Sequence, residues 1–221
     1  IGGERAIRDP ARIAVGLLAR SGGSVTDRAA ALDLQLPADR GSVEDVIQQL
    51  DAGINITETS SAGRFLDAVA AMLLGIDHRA YRGSPAMMLE AAAGEWDNPS
   101  QPPITSVDGR RCLDTPALFE TLVSAHLEGA PVDAVAARAQ LELADGLAQL
   151  AIDAAREREL DVVGISGGVA ANRQILQGVA TAVTDAGMRF VTNERVPPGD
   201  GGIALGQAYL AACAGTADES P

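Results

Sequence analysis

Two glycine-rich turns carry the residues of this sequence best suited to chemistry. The first is GGVAAN at 167–172, directly after the apolar run VVGIS at 162–166. Paired glycines at a strand end let backbone approach a ligand where a Cβ would clash, and a helix start offers unpaired N–H groups to an anion. Asn172 can donate and accept at once, which suits an adenine edge, a ribose or an acyl carbonyl. On spacing alone the plainer reading is favoured, in which Asn172 simply caps the helix while Gly167 and Gly168 make a tight turn. The second turn is VPPGDGG at 196–202. Proline stiffens its approach and glycine opens space around Asp200, a hard carboxylate fit for a divalent cation that bridges phosphates. An Asp before a helix is also an ordinary N-cap, and one carboxylate does not make a metal site. Folded toward each other, the turns would form opposite walls of a nucleotide and metal cleft.

A third group is Ser60, Ser61, Gly63 and Asp67. Gly63 and Asp67 are four apart, so they share a helix face, opposite Phe65 and Leu66. Asp67 could accept both hydroxyls of a ribose beside the space that Gly63 leaves, or simply be a solvated carboxylate on a polar face. His78 and His126 lie in unrelated segments without HxxxH or HExxH spacing, which points to surface or partly buried side chains. The pair Met87-Met88 reads as core filling. Cys112 and Cys213 match no CxxC pattern and suit reduced thiols in a reducing compartment.

The elements that must position these groups follow from periodicity. Residues 7–20 read as an amphipathic helix with Pro10 placed early, and 21–40 as a small helical excursion. Ser42 caps a helix that Gly53 ends, with Asp45 three residues on. Ala62, Phe65, Leu66, Val69, Met72 and Leu73 recur at helical spacing up to Gly75. Ser84-Pro85 starts a helix that Gly94 closes, and 95–109 reads as a long surface connection. Thr115-Pro116 opens a helix ended by Gly129, and a long alanine-rich helix spans 132–159. Strand, helix, strand and helix follow at 162–166, 172–186, 189–192 and 201–214. This gives a helix-rich part over 1–130, an α/β part over 131–214 and a disordered tail over 215–221.

Composition narrows the function classes. The 221 residues are 47% hydrophobic, enough for a proper core, and no apolar run nears membrane-span length. The net charge is −13, and all 17 basic residues are arginine. Such a field repels phosphate backbones and argues against broad nucleic-acid binding. The lysine-free, acidic composition fits a high-salt cytoplasm and a GC-rich genome alike. The chain starts at Ile1, and its first methionine is Met72, which suggests a fragment or a processed product.

Five collinear blocks together resemble one family. They are GGERAIRDPAR (2–12), TSSAGRFLDAVAA (59–71), YRGSPAMMLE (81–90), GGVAANR (167–173) and VPPGDGGIALGQ (196–207). The sequence is similar to the C-terminal end of HypF, the hydrogenase-maturation carbamoyltransferases, over nearly its whole length. The resemblance implies an α/β fold, the second ribonuclease-H-like lobe of an actin-like (ASKHA) ATPase. By position, Asp67 would hold the ribose, Gly83 and Asn172 would line the nucleoside or acyl-adenylate pocket, Gly167 and Gly168 would approach the phosphates, and Asp200 would be one metal ligand. The cofactors implied are ATP, passing through carbamoyl-adenylate, and a divalent metal, with Mg, Fe and Zn all open. The implied partners are HypE, whose C-terminal cysteine accepts the carbamoyl group, and the remaining N-terminal domains of the same polypeptide. No nucleic acid or membrane is implied, the setting is cytoplasmic, and no catalytic residue is expected here because the sulfur nucleophile belongs to HypE.

Two departures stand out. Arg82 stands where the family usually has Glu, and Ala139-Gln140 where it usually has Phe-His. The family's histidine-rich metal motif belongs to the first lobe and is absent from these residues. Rival readings are a tRNA threonylcarbamoyladenosine-type enzyme, an O-carbamoyltransferase, or a non-catalytic actin-like scaffold. Ser60-Ser61 and GRFLDA (63–68) depart from the first rival's usual paired acids.

Overall fold

Proline sets the first break in the chain. The helix expected over residues 7–20 is two helices, α1 (Glu4–Arg8) and α2 (Ala11–Ser21), in the computed structural model, which describes residues 1–96 and 101–217. Asp9 before Pro10 leaves the helical region at φ −116°, ψ 89°, as steric clash with a following proline demands. Two shorter helices follow, α3 (Val25–Ala31) and α4 (Val43–Asp51). Ser42 and Asp45 form the expected capping box on α4, which satisfies two backbone donors at once.

The strongest helical pattern becomes α5 (Ala62–Leu74), capped by Ser61 and ended by Gly75 in the left-handed region. Phe65 to Leu73 are all buried. Around α5 lie α2, α6 (Ser84–Ala92), α7 (Thr115–Leu127) and the long α8 (Val132–Glu157). Phe65 and Phe119 meet edge to face at 6.5 Å, a favoured aromatic geometry. One apolar core runs from α2 through α5 and α7 to α8 and onward into the C-terminal elements. It therefore crosses residue 130 without interruption.

The expected surface connection over 95–109 is corrected in part, while residues 97–100 lie outside the described residues. Ile104–Val107 (β1) and Arg110–Leu113 (β2) pair antiparallel, with Ile104 opposite Leu113. Asp108 and Gly109 form the two-residue turn at φ 51° and 75°, the Asp-Gly chemistry that suits a tight hairpin. The hairpin seats on α8 where Gly146 has no side chain, since a Cβ there would stand 2.8 Å from Leu113 Cδ1.

The C-terminal part is built as expected: β3 (Val162–Ile165), α9 (Arg173–Asp185) and β4 (Arg189–Thr192), with the strands parallel and Val162 opposite Arg189. Helices α8 and α9 pack closely at Ala144 and Gly178, where a Cβ on the glycine would come within 2.9 Å. A 3-10 turn (Asp200–Gly202) then leads into α10 (Ile203–Ala217). Residues 215–217 of the expected tail are thus helical, and 218–221 lie outside the described residues. The Met87-Met88 expectation is also corrected. Both side chains are exposed, because α6 buries Ser84, Pro85 and Leu89 instead.

Candidate functional site

The two glycine turns meet. The Gly167 amide donates to the Pro198 carbonyl at 2.7 Å, and Ser166 Oγ lies 3.4 Å from the same oxygen. A Cβ on Gly199 would stand 3.8 Å from Gly168 Cα, so backbone faces backbone across the junction. Gly167 sits at φ 96° and Gly83, at the start of α6, at φ 84°. Both conformations favour glycine. Beyond conformation, a Cβ on Gly83, Gly167 or Gly168 would meet no atom within 4 Å. The space in front of all three is open.

Helix α5 reaches the first turn at its N-terminus, where a Cβ on Gly63 would lie 3.8 Å from Val169 Cγ2. Helix α6 and the residues just before it reach both turns. Arg82 Nη1 donates to Asp200 Oδ2 across 118 positions of sequence. From the far end of α6, Glu90 Oε1 accepts the Arg173 amide at 2.8 Å, where a carboxylate also meets the positive end of the α9 dipole. The contacts therefore join the Gly167–Gly168 turn to the Asp200 turn, and Arg82, next to Gly83, to Asp200.

Asn172 takes the capping role. Its Oδ1 accepts the Ile175 amide at 3.0 Å, and its Nδ2 donates to Gln140 Oε1 at 2.7 Å. Both residues are buried, so the Asn172 side chain is spent within the fold and holds the end of the GGVAAN turn rather than facing open space. Gln140 and Arg82, the two departures noted in the sequence, are the direct partners of Asn172 and Asp200. Only the fold brings these pairs together, since neither spacing is local.

Asp67 is not a solvated carboxylate. It is 1% exposed, with Arg64 Nη2 at 2.7 Å from Oδ2, and neither oxygen has a hydrogen bond of good geometry. Burial pushes the carboxyl up to about 6, opposed by Arg64, by Arg79 and by the Ala86 amide. Arg64 itself is lowered, first by burial and then by Arg79 and Arg82, while Asp67 pulls the other way. Three arginines thus gather beside the start of α6 in a chain of net charge −13. The histidines stay apart. His78 is exposed and contacts Asp77, and His126 lies on α7. Among the described residues, no three His, Cys, Asp or Glu side chains gather in a way that could hold a metal ion.

A family model described as the second subdomain of the Kae1-like domain of carbamoyltransferase matches residues 1–207. The carbamoyltransferase HypF of Rhodobacter capsulatus is 36% identical over 96% of this chain and 26% of its own length. A crystal structure of full-length HypF in the phosphate- and nucleotide-bound form superposes with a TM-score of 0.81 at 27% identity, over 94% of this chain and 27% of that one. HypF of T. kodakarensis superposes at 0.79 with 33% identity, over 95% and 28%. The expected fold class, an α/β lobe of actin-like type with a helix-rich N-terminal part, is what these relatives share with the chain. The chain spans about a quarter of their length. With its five sequence blocks, its two joined glycine turns and this overall match, the chain belongs to the HypF carbamoyltransferase family, within the second subdomain of the Kae1-like domain.

Proposed function

We propose that this chain supplies one wall of the nucleotide cleft of a HypF-type carbamoyltransferase. The complete enzyme would convert carbamoyl phosphate and ATP, through carbamoyl-adenylate, into a carbamoyl group on the C-terminal cysteine of HypE in hydrogenase maturation. The reaction would take place in the cytoplasm, where that thiol stays reduced. The observation that carries the reading is the junction of the turns, with open space before Gly83, Gly167 and Gly168. A related HypF is known in a phosphate- and nucleotide-bound form, which supports the same ligand class here.

Each group has a chemical task in this reading. The backbone at Gly167 and Gly168 lets phosphate oxygens approach amides without side-chain obstruction. Arg82, mostly exposed and paired with Asp200, would supply a positive charge beside the turns. Asn172 works through position: by capping α9 and bonding Gln140, it fixes the turn that the phosphates would approach. Asp67 would take ribose hydroxyls only after Arg64 releases it, because its oxygens are sealed from solvent. Asp200 fits a divalent cation as a single oxygen donor once Arg82 lets go, and among the described residues no group of three His, Cys, Asp or Glu side chains stands ready to complete the set. A cation there would neutralise phosphate charge. Carbamoyl-adenylate is labile in water, so a second wall that closes the cleft would protect it until the thiolate attacks.

Gly168→Ala and Asp200→Ala in the complete polypeptide test the proposal. Gly168 faces open space, so the added methyl leaves the free fold unchanged and obstructs only a ligand. Carbamoyl transfer to HypE should fall at least ~10-fold in each variant, with an unchanged urea midpoint. Undiminished transfer in both would remove the turns from the site.

A further inference from the structure

Residues 2–12 take no part in the cleft described above, yet they bury two charges. Asp9 is 0% exposed and Arg12 is 4% exposed. Arg40 Nη1 donates to Asp9 Oδ1 at 2.5 Å, and Arg12 Nε lies 3.7 Å from Oδ2. Arg12 in turn donates through Nη1 to Gln49 Oε1 at 3.2 Å. Gly2 completes the enclosure, since a Cβ there would stand 2.9 Å from that same Nη1. Asp9 is thus clamped between α2 and the segment that leads into α4. A buried ion pair often adds no more stability than apolar residues of equal volume, whereas removing one partner strands a charge. What this one fixes is the end of α1.

Helix α1 has five residues, too few to hold themselves as a helix in water. Its last carbonyls have no intrahelical partner, and Pro10 brings no N–H to them. Two of them reach outward. The Arg8 carbonyl accepts the Arg79 amide at 2.7 Å, and Arg64 Nη1 lies 3.5 Å from the Ile7 carbonyl. Arg64 pairs with Asp67, and Arg79 adds a second positive charge beside the same carboxyl. Residue 79 also begins the short segment that leads into Gly83 and α6. We infer that Asp9 is a positioning residue for the nucleoside side of the cleft: its grip on α1 sets the two carbonyls that place Arg64 and Arg79 around Asp67. Asp9 is enclosed and acts only through α1. The inference rests on the nucleotide reading proposed above, in which Asp67 meets the ribose and Gly83 lines the nucleoside pocket. A shift of α1 would disturb both, while the Gly167–Gly168 and Asp200 turns keep their own contacts. Nucleotide binding should therefore weaken, with the reaction of bound nucleotide unaltered.

Calorimetric titration of ATP into the complete polypeptide, with steady-state carbamoyl transfer on the same samples, tests the role. Asp9→Asn should weaken ATP binding and raise KM for ATP at least ~5-fold, with kcat within about 2-fold of the parent. Arg40 is partly exposed, so Arg40→Ala removes one arm of the clamp from a tolerant position and should raise both ~3-fold. Leu122→Ala on α7 is the control. It empties a fully buried site outside the cleft, so it should lower the urea midpoint and leave KM for ATP unchanged. An ATP affinity indifferent to position 9 overturns the role, and if Asp9→Asn does not fold, an indifferent Arg40→Ala does the same. An equal rise in KM in Leu122→Ala also overturns it, in favour of a general loss of stability. Transfer without any ATP dependence sinks the nucleotide reading and this role together, whereas ATP-dependent transfer untouched by the clamp variants sinks the role alone.

Discussion

Helices α5 and α10 have thirteen and fifteen residues, both mostly apolar, and they end in opposite surroundings. Phe65 to Leu73 of α5 lie within the core, touched by α2, α6, α7 and α8. Ile203, Leu205, Tyr209 and Leu210 of α10 face solvent. Apolar composition sets a demand for burial, and the neighbours available within the chain decide whether the demand is met. The two carboxylates of the proposed site follow the same division. Asp67 is carried inside by α5, and Asp200 stays at the surface at the foot of α10, held by Arg82.

The contrast is breakable at the helices first. Leu66→Ala should destabilise the 221-residue chain by about 3 kcal/mol, as removal of a fully buried leucine does. Leu205→Ala in the same chain should cost less than about 0.5 kcal/mol, as exposed substitutions do. Urea unfolding measures both, and equal costs would erase the distinction between the helices.

The buried carboxylate gives the next effect. Its ordinary value of 3.8 rises to about 6 on burial, so between those values the folded chain holds a proton that the unfolded chain has released. Stability must then fall as pH rises from about 4 to about 6, by ~3 kcal/mol at most, and stay lower above that window. Asp67→Asn should flatten this decline. A variant with the same slope as the parent over that window would show that Asp67 is not desolvated.

Much of the fold is legible in the sequence because long periodic segments are. The apolar recurrence of α5, the alanine-rich run of α8 and the β3–α9–β4 alternation each carry many residues of agreement. The β1–β2 hairpin hides because Arg110 and Arg111 are exposed and blur its alternation, although Asp108-Gly109 marks its turn. Pro10 divides a pattern that periodicity alone keeps whole. Met87 and Met88 fail as core residues because α6 spends its buried face on Leu89. In the site, the turns are legible as glycine pairs after strands. The Arg82–Asp200 and Asn172–Gln140 contacts are not, since they join positions 118 and 32 apart. Likewise, the apolar letters of α10 say that it should be covered, and only the fold shows that nothing among the described residues covers it.

Calorimetric titration of ATP into the complete polypeptide, its Gly168→Ala variant and the 221-residue chain tests the two-walled cleft most directly. The account predicts that the 221-residue chain binds at least ~100-fold more weakly than the complete polypeptide, a coupling of about 2.7 kcal/mol. It also predicts that the single methyl at Gly168 weakens binding to the complete polypeptide. Equal affinity of the chain and the complete polypeptide, or full affinity with alanine at position 168, would contradict it.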